Sequence, residues 1–165
     1  MGFAIADAFL EAGADVTVVS GPVQNVTASK KLTILNVTSA AEMFEAVRSR
    51  ITEADIAVFA AAVADFTPEK RSVRKLKREG DELLIRLIPT QDIAAELGKS
   101  KRNDQLFIGF ALETNDGLEN AAGKLERKNL DFIILNSLED KGAGFGTDTN
   151  KISIIDKFGN NDNFE

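Results

Sequence analysis

A chain of 165 residues, 44% hydrophobic and 28% charged, has room for one domain with a buried core. Its 26 acidic and 20 basic residues give a net charge of −6, which argues against a general nucleic-acid binder, with a basic run at Lys70–Arg78 as a local exception. With no histidine and no cysteine, Ser-His-Asp and Cys-His catalysis within the chain are excluded and zinc loses its usual ligands, so any metal would be a hard ion, most simply Mg2+. No apolar run reaches a membrane span and no signal-peptide pattern opens the chain, so a cytoplasmic protein without a membrane partner is expected.

In chain order, Phe3, Ala6, Phe9 and Leu10 recur at three-to-four spacing and predict a helix that stops at Gly13. Val16–Val19 is a short β-branched strand closed by Ser20-Gly-Pro22. A helix followed by a strand is the latter part of a βαβ unit, so a first strand and a phosphate-binding turn are expected before Met1. Leu32–Val37 reads as the next strand, Ser39 and Glu42 as the capping box of a helix running to about Arg50, and Ile56–Ala61 as a third strand. Strand–helix–strand repeats with short links predict a Rossmann-like, doubly wound, mostly parallel α/β sheet.

The end of the third strand is chemically unusual. Ala60–Ala64 carry almost no side-chain bulk, leaving bare backbone at the carboxyl end of a parallel strand, where open α/β sheets take ligands. Close packing of a helix on the sheet accounts for the same residues, and this stretch alone leaves the two readings level. Asp65 is the first charge after that surface, and Lys70, Arg71, Arg74, Lys75, Lys77 and Arg78 follow. Glu82–Ile88 reads as a strand after the irregular basic segment. Together they form an arm leaving the sheet, and an exposed edge of this kind seeks a second subunit, predicting a homodimer.

Gln91–Leu97 is a short helix with Thr90 as N-cap and Asp92 near the positive end of its dipole. Leu106–Phe110 is a buried strand. A helix over about Asn115–Lys128 puts Lys124 and Lys128 on one face, and Asp131–Leu135 is another strand. A glycine-rich segment, Lys141–Asn150, precedes Lys151–Asp156 and a Gly159-Asn160 turn, the start of a C-terminal hairpin. Without repeats or linkers, residues 1–165 read as one domain, incomplete at both ends.

Seven segments then fall into the order of one family: Met1-Gly-Phe-Ala-Ile-Ala6, Val18-Val-Ser-Gly-Pro22, Ala61-Ala-Val-Ala-Asp-Phe66, Pro68-Glu69 with Lys75-Leu-Lys-Arg78, Gly109-Phe-Ala-Leu-Glu-Thr114, Lys124–Asp131 and Gly144–Asn150. Together they resemble phosphopantothenoylcysteine synthetase, the phosphopantothenate–cysteine ligase of coenzyme A biosynthesis, over nearly the whole chain. The resemblance implies a CTP- and Mg2+-dependent enzyme. It would activate the 4′-phosphopantothenate carboxylate as an acyl-cytidylate and pass it to the amine of cysteine. It implies that Ala61, Ala64, Asp65 and Phe66 wall the pyrimidine and ribose, with Ala64 and Phe66 acting through backbone groups. Lys75 would close over the acyl-cytidylate, Phe110 would lie beside the nucleotide, and Lys124 and Lys128 would contact the triphosphate. Asp148 and Asn150 match a motif without an implied role, and Asx turn chemistry explains them as well.

The departures are specific. Arginine ends the family's K-x-K-K loop at Arg78, and its Asn-Pro-Asp-Ile motif reads Thr90-Gln-Asp-Ile93. The phosphate loop with its asparagine, the last helix, and the flavin-dependent decarboxylase often fused upstream lie outside the chain, so weak or absent ligase activity is expected of it alone. Two other classes fit the residues. A Rossmann-type NAD(P)-dependent oxidoreductase is one, although Val16–Ser20 ends without the acidic residue that binds ribose. A non-catalytic nucleotide-binding or dimerisation module is the other.

Overall fold

The computed structural model describes residues 1–23, 31–70, 72, 74–77, 82–113, 117–137 and 151–164. Helix α1 (Gly2–Glu11) buries Ala6 and stops at Gly13, whose φ is +90°. The Gly13 N–H donates to the Leu10 carbonyl and the Ala14 N–H to the Phe9 carbonyl, both at 3.0 Å. This paired ending requires a left-handed residue, the conformation glycine adopts without steric cost. Strand β1 (Thr17–Ser20) pairs in parallel with β2 (Thr33–Asn36).

Helix α2 (Ala40–Arg48) is capped by Ser39, whose Oγ accepts the Glu42 N–H at 3.2 Å. The return bond is displaced by one residue from the expected box. Glu42 Oε2 accepts the backbone N–H and the hydroxyl of Thr38 at 2.7 and 2.8 Å. Thr38 offers two donors to one carboxylate oxygen. Its N–H, first among several bonds, holds the exposed Glu42 carboxyl below its usual value.

Strand β3 (Ile56–Phe59) is followed by the short strands β4 (Phe66–Pro68) and β5 (Leu87–Pro89), then by α3 (Ile93–Gly98), β6 (Leu106–Glu113), α4 (Gly117–Arg127), β7 (Phe132–Ser137), β8 (Ile152–Asp156) and β9 (Asn161–Phe164). The main sheet has the order β3-β6-β7-β8-β9. Its centre, β3–β6–β7, is parallel, as the strand–helix–strand pattern predicts, and the β8–β9 hairpin extends it antiparallel from β7. Strands β4 and β5 form a separate antiparallel arm.

One core unites α3, α4 and the sheet: Ile93, Leu97, Ala121 and Leu125 pack with Phe107, Leu130, Ile133 and Ile155, and α2 adds Met43, Phe44 and Val47 at its margin. Phe107 and Ile133 are 1% exposed, and the Phe59 ring meets Phe107 edge-on at 5.3 Å. Helix α4 ends like α1, with Asn129 (φ +51°) in the left-handed place and the Leu130 N–H on the Leu125 carbonyl at 2.9 Å. Asn129 Nδ2 donates to the Gly98 carbonyl at 2.9 Å, joining the ends of α3 and α4. A β-carbon on Gly98 would lie 2.2 Å from the Lys128 carbonyl oxygen, so only glycine fits there. Below this junction the buried Asp131 carboxylate accepts the Phe107 N–H at 2.8 Å, Lys101 Nζ at 2.7 Å and Lys157 Nζ at 2.9 Å, stitching β6, β7 and the β8–β9 hairpin.

Two expectations are corrected. The strand expected over Glu82–Ile88 is limited to Leu87–Pro89, because its partner β4 is only three residues long and, among the described residues, Glu82–Arg86 have no strand opposite them. The N-cap of α3 is Asp92 and not Thr90: Asp92 Oδ1 accepts the Ala95 N–H at 3.1 Å, while the Thr90 hydroxyl is engaged elsewhere. Arg71, Arg78, the Gly80-Asp81 turn, Thr114, Asn115 and the Gly144–Asn150 motif with Asp148 and Asn150 lie outside the described residues. Among the described residues no helix is long and apolar enough to cross a membrane.

Candidate functional site

The polypeptide leaves the sheet after Phe59, and Ala60–Asp65 pass without regular structure to β4. Val63 packs against the core and anchors this segment from below, while Ala61, Ala64, Asp65 and Phe66 are exposed. The bare surface expected from the sequence is therefore an open one at the carboxyl end of β3. It is held from the side by Thr90. The Thr90 N–H donates to the Asp65 carbonyl at 2.8 Å and its hydroxyl to the Ala64 carbonyl.

From Thr90 the chain passes through Gln91 to Asp92, which caps α3 with one oxygen and meets Lys128 Nζ at 3.0 Å with the other. Burial pushes the Asp92 carboxyl up, but the Lys128 ammonium and the Ala95 N–H outweigh it and hold it below its usual value. Lys128 follows the last residue of α4, where the Asn129 ending and the contact with Gly98 fix its backbone. The structure thus links Ala64, Asp65, Thr90, Asp92 and Lys128 by direct contacts, from the end of β3 to the end of α4. Lys124 lies one turn earlier and is half-buried, its carbonyl accepting the Lys128 N–H at 3.0 Å.

Phe110 is half-buried on β6, one residue beyond the Phe59–Gly109 pair that ends the β3 register. By strand alternation it faces away from the core side chains Phe107 and Ala111. Lys75 stands apart from the linked residues, exposed on the arm between β4 and β5 with Arg74 and Lys77. The register of the arm pairs Phe66 with Pro89 and Pro68 with Leu87. Main-chain bonds at Asp65–Thr90 and at Glu69–Arg86 bracket it. By alternation both prolines occupy positions whose N–H would point away from the partner strand, where a missing donor costs no ladder bond.

Reasoning from sequence misses the Thr90 clasp and the Asp92–Lys128 pair. The first spans 26 residues and the second joins two helices, so neither leaves a local signal. Among the described residues no three acidic side chains converge as a metal cage.

The whole chain, residues 1–165, matches the family of the DNA/pantothenate metabolism flavoprotein C-terminal domain. A curated protein from an unidentified prokaryote, named cysteine/cysteine sulfinic acid decarboxylase, is 57% identical over all of this chain, which covers 46% of that protein. The coenzyme A biosynthesis bifunctional protein CoaBC of Bacillus subtilis is 43% identical over 96% of this chain, which covers 39% of it. The chain therefore spans less than half the length of these curated relatives. Among solved structures, the C-terminal domain of CoaBC superposes with a TM-score of 0.81 at 34% identity, over 99% of this chain and 71% of that one. A Cab2 mutant in complex with phosphopantothenate-cysteine superposes with a TM-score of 0.61 over 82% of this chain and 47% of its own. At 22% identity this is a likeness of fold alone.

Proposed function

We propose that this chain, which belongs to the DNA/pantothenate metabolism flavoprotein C-terminal domain family together with the C-terminal domain of CoaBC, is a single ligase domain that joins 4′-phosphopantothenate to L-cysteine. The observation that carries this reading is the 34%-identical CoaBC domain, which shares the fold over 99% of the chain. The phosphopantothenate-cysteine in the Cab2 neighbour agrees with it.

In this reading the 4′-phosphopantothenate carboxylate attacks the α-phosphorus of CTP and pyrophosphate leaves. The cysteine amine then attacks the acyl carbon of the acyl-cytidylate, CMP leaves, and the amide forms with loss of one proton. The first step brings anion to anion, so its catalysis rests on placed cations. Lys75 would neutralise charge at the reacting phosphate, and Lys124 and Lys128 would hold the triphosphate. Asp65 would accept from the ribose, Ala61, Ala64 and Phe66 would border the base through backbone groups, and Phe110 would lie beside it. Mg2+ would arrive with the triphosphate, whose oxygens supply most of its ligands, and would neutralise phosphate charge. The protein would be cytoplasmic. Its exposed arm would pair with that of a second copy. A flavin-dependent decarboxylase is the expected functional neighbour, in keeping with the bifunctional name of CoaBC and the decarboxylase name of the 57%-identical relative.

The test is a titration of the chain with CTP, ATP and NADH, each with Mg2+. Preferential CTP binding is expected, with weak or no pyrophosphate release from this chain alone once 4′-phosphopantothenate is added. Binding of NADH without CTP would turn the reading to an oxidoreductase, and binding of none to a structural module. Release of CO2 from cysteine sulfinic acid without nucleotide would favour the activity for which the 57%-identical relative is named.

A further inference from the structure

We propose that Thr90 is a positioning residue of the nucleotide wall, fixing the Ala64–Phe66 backbone from the root of the arm. The inference rests on the ligase reading for the identity of the ligand and on geometry for the rest. Thr90 engages two consecutive carbonyls: its hydroxyl donates to Ala64 and its N–H to Asp65, the latter at 2.8 Å. A peptide unit is planar, so a fixed carbonyl also fixes the N–H at the other end of the unit. The Ala64 carbonyl shares its plane with the Asp65 N–H, and the Asp65 carbonyl with the Phe66 N–H. Thr90 therefore sets two successive donors at the point where the irregular Ala60–Asp65 segment enters β4.

Among the described residues no other donor holds these two carbonyls. Phe66 and Pro89 face each other as a non-hydrogen-bonded pair, so the ladder bond at the root of the arm is the one between Thr90 and Asp65. The same root carries the segment bearing Lys75. Thr90 thus fixes the wall and the base of the arm together. Threonine suits the place because it supplies a side-chain donor and a main-chain donor on one stiff, β-branched residue.

The experiment compares the full chain with its Thr90→Val and Thr90→Ser variants, using CTP–Mg2+ as the probe in calorimetry and, without nucleotide, amide exchange at residue 90, whose N–H the Asp65 carbonyl accepts. Valine keeps the shape and the N–H and removes only the hydroxyl. Loss of one hydrogen bond weakens CTP binding about five- to tenfold in the valine variant, and serine restores it to within about twofold. Exchange at that amide, relative to its intrinsic rate, quickens by a similar factor in the valine variant alone, with the thermal midpoint little changed. A valine variant that binds CTP like the wild type, or a serine variant as weak as valine, overturns the inference. A wild type that binds neither CTP nor ATP overturns the ligase reading instead. The exchange arm then decides: unchanged exchange in the valine variant overturns the clasp, and faster exchange restored by serine upholds it.

Discussion

At the scale of single residues, Asp131 is a buried carboxylate that accepts three hydrogen bonds. It is 3% exposed, and burial alone would raise its pKa. The Lys101 and Lys157 ammonium groups and the Phe107 N–H outweigh burial and hold it below the usual carboxylate range. Asp131→Asn would leave the buried Lys101 charge uncompensated, and such losses cost about 3–5 kcal/mol, to be read from urea unfolding. The sign of the pH effect follows from the direction of the shift. The carboxyl is a stronger acid folded than unfolded, so its stabilisation is complete above the unfolded value of about 3.9 and disappears as pH falls through the folded value. Wild-type stability should therefore fall more steeply than that of Asp131→Asn as pH drops below about 4. Lys75 makes a different prediction, because it is exposed and bears no load in the fold. In a full-length protein that also carries the phosphate loop, Lys75→Gln should slow amide formation about 100-fold or more with the thermal midpoint unmoved, and unchanged turnover would remove Lys75 from the mechanism.

At the scale of elements, the meeting of α3 and α4 decides where Lys128 stands. Gly98→Ala would drive a β-carbon into the Lys128 carbonyl, and the backbone cannot yield as a flexible side chain does. A loss of about 1–3 kcal/mol is expected in chemical denaturation, with weaker CTP binding because the Lys128–Asp92 pair moves with the junction. The arm carries the opposite kind of feature. Leu83, Leu84 and Ile85 are exposed, Leu84 at 92%, on a segment that no strand covers among the described residues. The pairing proposed for the arm predicts a wild-type dimer that Leu84→Asp converts to monomer in analytical ultracentrifugation, and a monomeric wild type or an unchanged dimer would overturn it. The same segment explains the misread strand. Its apolar residues signal burial, but among the described residues only Leu87–Pro89 find a partner strand. Helix ends were legible for the converse reason: Gly13 acts within its own turn, and local chemistry suffices.

At the scale of the whole molecule, the sequence displays the parallel β3–β6–β7 centre through its alternation of strands and helices, and the hairpin through the Gly159-Asn160 turn. It also exposes the composition of the Ala61–Phe66 wall. It does not show how distant segments lock: Thr90 to Ala64, Asp92 to Lys128 and Lys101 to Asp131 are each joined by the fold and not by spacing. One such long-range feature is the isolation of the β1–β2 pair. Among the described residues it bonds to no third strand and gives no side chain to the buried core cluster. Stability within one domain need not be uniform, and a weakly tethered pair can melt while the rest stays folded. The chain has no tryptophan, so a single reporter can be placed in each region. A tryptophan at Ile34 on β2 should report a lower urea midpoint than one at Ile154 on β8. Coincident midpoints would mean that the two parallel strands, despite their separation, share one cooperative transition with the main sheet.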